Sequence, residues 1–135
     1  MAATYLDSSA IVKLVVEEPE SRALRRHLRR RHPLVTSALA RTEVLRALVL
    51  EGAEGLARGR AVLARLELIR VSDRVLSAAG GMLPPELRSL DAIHLASALL
   101  WKDAAGVEPV MATHDAALAL AAQAHGFPVI GVKGP

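Results

Sequence analysis

The chain has 135 residues, 52% of them hydrophobic, with one Phe, one Tyr, one Trp and no cysteine. That is enough for one domain over residues 1–135 with a core of Leu, Ala and Val, and it excludes disulfides and thiolate metal sites. The net charge of +3 suits a polyanionic partner; charges break every apolar run before the ~18 residues of a membrane span, and the absence of a basic leader or cleavage site points to the cytoplasm.

Residues 3–7 read as a short strand, after which Ser8 or Ser9 caps a helix to about Glu18. Pro19 can open a second helix that continues from Ser21 to Arg31, with Leu24 and Leu28 at i,i+4 spacing. Leu34-Val35-Thr36 is the next strand, and Ser37 caps a helix over 38–51 that Gly52 and Gly55 break. A helix over 56–66 leads to the strand Leu68–Val71, and Asp73 opens a short helix closed by Gly80-Gly81. Pro84-Pro85 forces a loop. Ser89 to Asp103 reads as a helix, Val110-Met111-Ala112 as a strand, and His114 to His125 as a helix stopped by Gly126. Phe127 to Ile130 is a last strand, placed at an edge by its proline. Strands alternating with helices predict a mainly parallel sheet with helices on both faces.

Four acids stand where packing prefers apolar side chains: Asp7, Glu43, Asp91 and Asp115. Each has a plain structural explanation. Asp7 fits a turn or helix cap, Glu43 an i,i+3 pair with Arg46, and Asp91 and Asp115 the positive end of a helix. In a parallel sheet, however, ligands bind beyond the carboxyl ends of the strands. Asp7 ends the first strand and Asp115 follows the Val110 strand, so both face one rim. If Glu43 and Asp91 join them, the mutual repulsion calls for a divalent cation. All-oxygen ligation selects Mg²⁺ or Mn²⁺, which can polarise a phosphate oxygen and acidify bound water. The chemistry that follows is metal-assisted phosphodiester hydrolysis.

The segments that carry these acids resemble the PIN-domain nucleases, most closely the VapC toxins of bacterial toxin–antitoxin pairs, over nearly the whole chain. Tyr5-Leu6-Asp7-Ser8-Ser9-Ala10 is similar to the first motif of that family, and Thr36-Ser37 through Glu43-Val44 to the second. Leu87 through Ala96, with Asp91, is similar to the third, and Thr113-His114-Asp115 followed by Leu118, Ala122 and Gly126 to the fourth. The resemblance implies a three-layer α/β/α sandwich and an endoribonuclease dependent on Mg²⁺ or Mn²⁺. It implies an RNA substrate, a homodimer, and a small VapB-like antitoxin whose C-terminal segment covers the active site. By the same carry-over, Asp7 and Asp91 are metal ligands and Asp115 is a third ligand or serves a second metal. Glu43 binds metal or orients the attacking water. Ser8, Ser9 and Thr113 either donate to the carboxylates or phosphate, or cap helices.

His94, one turn after Asp91, reads as an imidazole packed beside the core and stays outside the catalytic set. His27, His32 and His125 are not clustered in sequence and suggest no zinc site, and Trp101 reads as a core or dimer contact. Arg22, Arg25, Arg26, Arg29, Arg30 and Arg31 form a basic run. It is either a phosphate-facing stripe or a solvated helix face. The run motivates the competing reading, a non-catalytic RNA- or protein-binding module on the same fold. A phosphohydrolase using Asp7 as nucleophile would want a second Asp two residues on, where this chain has Ser9.

Overall fold

Alternating apolar residues build the sheet. The computed structural model describes residues 2–131. Its strands are β1 (Thr4–Leu6), β2 (Leu34–Ser37), β3 (Glu67–Ile69), β4 (Val110–Ala112) and β5 (Val129–Ile130). They form one parallel sheet in the order β3-β2-β1-β4-β5. Tyr5 is level with Val35 and Met111, and Leu6 with Ala112. The period of two in a strand then sends these layers to opposite faces. Leu6 and Ala112 enter a core with Ile11, Leu24, Val44, Leu48 and Leu63. Tyr5, Val35 and Met111 enter a second core with Leu95, Leu118 and Phe127.

Seven α-helices among the described residues cover both faces: α1 (Ser8–Lys13), α2 (Ser21–His27), α3 (Ala40–Ala47), α4 (Gly52–Leu63), α5 (Asp73–Gly80), α6 (Ser89–Ala105) and α7 (Ala116–Ala124). Helices α1 to α4 supply the first core, and α6 and α7 the second. This is the expected α/β/α arrangement. The chain adds strands outward from β1 to β3, then returns past β1 to lay down β4 and β5. The direction of winding therefore reverses between β1 and β4, which opens a crevice at their carboxyl ends. β5, which follows Pro128, lies at the sheet edge as expected. Among the described residues no helix is long and apolar enough to cross a membrane.

Several boundaries differ from the sequence reading. Helix α1 ends at Lys13, not Glu18, because β-branched Val15 and Val16 lead into Glu18-Pro19, where a following proline disfavours helical backbone. Helix α2 begins at Ser21, not Pro19, and stops at His27. Beyond it, His32 is pinned with His27 to the Thr4 hydroxyl at 2.8 and 3.1 Å, so these two histidines do meet in space. Ser37 lies in β2, and its hydroxyl accepts from Leu39 N ahead of α3 rather than capping it directly. The helix over 38–51 is in fact α3 followed by a 3₁₀ turn at Val49–Glu51. Gly52, at φ +73°, makes the break. Gly55 does not break anything: it lies inside α4. Gly59 lies there too, and a Cβ on it would come within 2.5 Å of the buried Leu48 side chain, so the missing side chain lets α3 and α4 close together.

Candidate active site

The N-cap of α1 is Asp7 itself, neither Ser8 nor Ser9. Its Oδ1 accepts from Ala10 N at 3.0 Å and from Ser9 Oγ at 2.7 Å, while Oδ2 accepts from Thr113 Oγ1 at 2.6 Å. Asp7 is only 4% exposed. Burial pushes its carboxyl above the usual range, and the bonds from Thr113 and Ser9 act against that rise. Asp115 is likewise an N-cap, for α7, through Oδ1 and Leu118 N at 2.9 Å. Its own backbone N–H donates to Thr113 Oγ1 at 3.0 Å. Thr113 therefore ties the acid after β1 to the acid after β4. The structural and functional explanations of these two acids coexist: each caps a helix with one oxygen, and a carboxylate has room for further partners.

Glu43 lies in the first turn of α3 and reaches across to α1 and α6. Its Oε1 accepts from Ser8 Oγ at 2.6 Å and bonds His94 Nε2 at 2.6 Å. Burial raises its carboxyl, but the bonds from His94 and Ser8 outweigh that and hold it below the usual range. The expected i,i+3 pair with Arg46 does not form among the described residues. Asp91 sits in the first turn of α6, which Arg88 opens without a side-chain cap, so Ser89 is not the cap. Burial, followed by the negative charges of Asp115, Asp7 and Glu43, pushes Asp91 up to about 6. Asp115, Asp7 and Glu43 thus lie close enough to Asp91 to oppose its ionisation.

The donor set suits a hard divalent cation. It consists of carboxylates alone, and among the described residues neither Asp7, Asp91 nor Asp115 forms a salt bridge. Among the described residues, no three His, Asp or Glu side chains are gathered tightly enough to grip an ion unaided. Mg²⁺ and Mn²⁺ keep several waters and take few direct protein ligands.

Two polar residues belong to the site although sequence reasoning left them aside. His94 is buried, with Nε2 on Glu43 and Nδ1 bonded to the Tyr5 hydroxyl at 2.8 Å. The one signal for His94 in the sequence is its i,i+3 spacing from Asp91, which puts both on one helix face. Tyr5 gave no signal beyond its place in an apolar strand. Trp101 packs against the second core and donates Nε1–H to Glu67 at 2.9 Å.

Comparison with known proteins agrees with this architecture. The PIN-domain family model matches residues 4–122. Ribonuclease VapC46 of Mycobacterium tuberculosis is 67% identical over 98 residues, covering 73% of this chain and 75% of that protein. The crystal structure of Mycobacterium tuberculosis VapC20, a sarcin-ricin loop cleaving toxin, superposes with a TM-score of 0.70 at 16% identity, over 97% of this chain and 99% of that one. A toxin–antitoxin complex from Klebsiella pneumoniae gives a TM-score of 0.63 at 18% identity, covering 83% and 86%. The sheet order, the rim of acids and these likenesses place the chain in the PIN-domain family, among the VapC ribonucleases.

Proposed function

We propose that this chain is the toxin of a toxin–antitoxin pair and that it cuts RNA by metal-assisted hydrolysis at the rim formed by Asp7, Glu43, Asp91 and Asp115. The observation that carries this reading is the gathering of the four acids at one rim, where Asp7 and Asp115 share Thr113 and where burial, then the charges of Asp115, Asp7 and Glu43, raise Asp91. A site built only for stability would not collect unneutralised acids. Asp7, Asp91 and Asp115 would hold Mg²⁺ or Mn²⁺. Bound there, the cation would polarise a phosphate oxygen and acidify a water. Of the chain's own groups, Thr113 and Ser9 aim Asp7 and act against the rise that burial gives its carboxyl. Ser8 and His94 occupy Oε1 of Glu43, which leaves Oε2 for a water or the metal. The RNA substrate follows from the ribonuclease relatives, and the VapB-like antitoxin from the fold shared with a toxin–antitoxin complex. A homodimer in the cytoplasm completes the proposal.

The test uses purified protein on a structured RNA, with Mg²⁺, with EDTA, and as Asp7→Asn. We expect cleavage only in the first case, with RNA binding kept in all three. Metal-independent cleavage, or an Asp7→Asn variant as active as the parent, would remove the basis for the assignment. RNA bound but uncut in every divalent metal would instead favour the non-catalytic binding module.

A further inference from the structure

We propose that Tyr5 and His94 are positioning residues, a buried relay that fixes the carboxylate of Glu43 for the reaction. The inference rests on the assignment of Glu43 to the catalytic rim. Its evidence is a continuous chain of short bonds. The Tyr5 hydroxyl meets His94 Nδ1 at 2.8 Å, His94 Nε2 meets Glu43 Oε1 at 2.6 Å, and Ser8 Oγ meets the same oxygen at 2.6 Å. The chain begins under the sheet, where Tyr5 is 0% exposed, and ends on Glu43, whose side chain is 23% exposed. It therefore links the second core to the acid rim.

The chemistry gives the chain a direction. A phenol keeps its proton at neutral pH, so the Tyr5 hydroxyl, 2.8 Å from His94 Nδ1, can serve as the donor. A hydroxyl donating to Nδ1 selects the imidazole tautomer that carries hydrogen on Nε2. That N–H then donates to Oε1 of Glu43. The Tyr5 and His94 rings meet edge to face, with centroids 5.9 Å apart and planes at 79°, so the imidazole is also held in orientation. His94 itself is only 2% exposed.

A packing role alone would not call for this arrangement. An apolar side chain at position 94 would fill the space without having two nitrogens to satisfy. Nor would a buried imidazole need to reach a carboxylate that also faces solvent. Both donors fall on Oε1, so Glu43 is locked in one rotamer with Oε2 presented outward. An outer group that orients a reacting carboxylate commonly contributes about 10–100-fold to activity.

The experiment measures single-turnover cleavage of RNA by the full chain in Mg²⁺, with melting curves for every variant. His94→Leu should lower kcat by about 10–100-fold and leave KM within about twofold. His94→Gln, whose amide N–H can stand in for Nε2–H, should recover much of that loss. Tyr5→Phe, which keeps the ring and frees the tautomer, should show a smaller loss and carries the test if His94→Leu fails to fold. Glu43→Gln with His94→Leu should be no slower than Glu43→Gln alone, because a residue acting through Glu43 has nothing left to position. Losses that multiply in the double variant would overturn the relay, as would full activity in both His94→Leu and Tyr5→Phe beside an impaired Glu43→Gln. If Glu43→Gln is itself as active as the parent, the fault lies with the catalytic assignment of Glu43 and not with the relay alone.

Discussion

At the scale of single residues, Asp91 and Thr113 show how the rim balances charge. Asp91 is raised from 3.8 to about 6 by burial and by its acidic neighbours. A carboxyl that holds its proton more tightly when folded contributes stability that is full below about 3.8 and is lost as pH rises through about 6. In chelator, the melting temperature should therefore fall across that window, and Asp91→Asn should flatten the fall. An unchanged slope in Asp91→Asn would mean that other groups set it. Thr113 works in the opposite sense: its hydroxyl donates to Asp7 Oδ2 and accepts from Asp115 N. Thr113→Val leaves a buried carboxylate oxygen unpaired and should cost about 1–3 kcal/mol in urea melts, together with most of the cleavage. Thr113→Ser should retain both.

At the scale of elements, the glycine after β5 braces the site. Gly131 has φ +101°, and a Cβ there would stand 2.7 Å from the Thr113 carbonyl oxygen. β5 meets β4 at the same point, where Thr113 N donates to Ile130 O at 3.1 Å. Gly131→Ala should thus strain the backbone by about 1–3 kcal/mol and displace Thr113, lowering both the denaturation midpoint and the cleavage rate. Normal cleavage in this variant would show that the strain relaxes away from the rim. The elements themselves were largely legible in the sequence. Short apolar runs marked β1 and β4, and the stretch from Ser89 to Asp103 read as the helix that is α6. The ends were less legible, because Asp7 takes the capping role that Ser8 or Ser9 is equally suited to fill. The four acids could be read through motif order, since each sits beside a recognisable strand or helix start. The Tyr5–His94–Glu43 chain could not, because it joins residues 89 and 51 positions apart and only the closed fold brings them together.

At the scale of the whole molecule, the arginine run divides between two surfaces. Arg25 pairs with Glu17 at 2.9 Å, and with Arg29 and Arg65 it rims a groove floored by Leu14, Leu28 and Val62. Arg26 and Arg30 line a pocket with His27, His32, Thr4 and Val110. Thr4 and Val110 are the first residues of β1 and β4, so this pocket lies at the end of the sheet away from the acids. Replacing Arg26 and Arg30 with Glu should accordingly leave cleavage of a short RNA, and its salt dependence, close to the parent; a flattened salt slope would instead place RNA on that pocket. The strand order carries a further consequence, one of timing. β1 precedes the other four strands in sequence, yet it stands in the middle of the sheet and pairs with β4 at residues 110–112. Asp7 therefore emerges from the ribosome long before its partner Thr113 exists to receive it. A chain cut short of residue 113 lacks the rim, so the cutting edge exists only after β4 has been added.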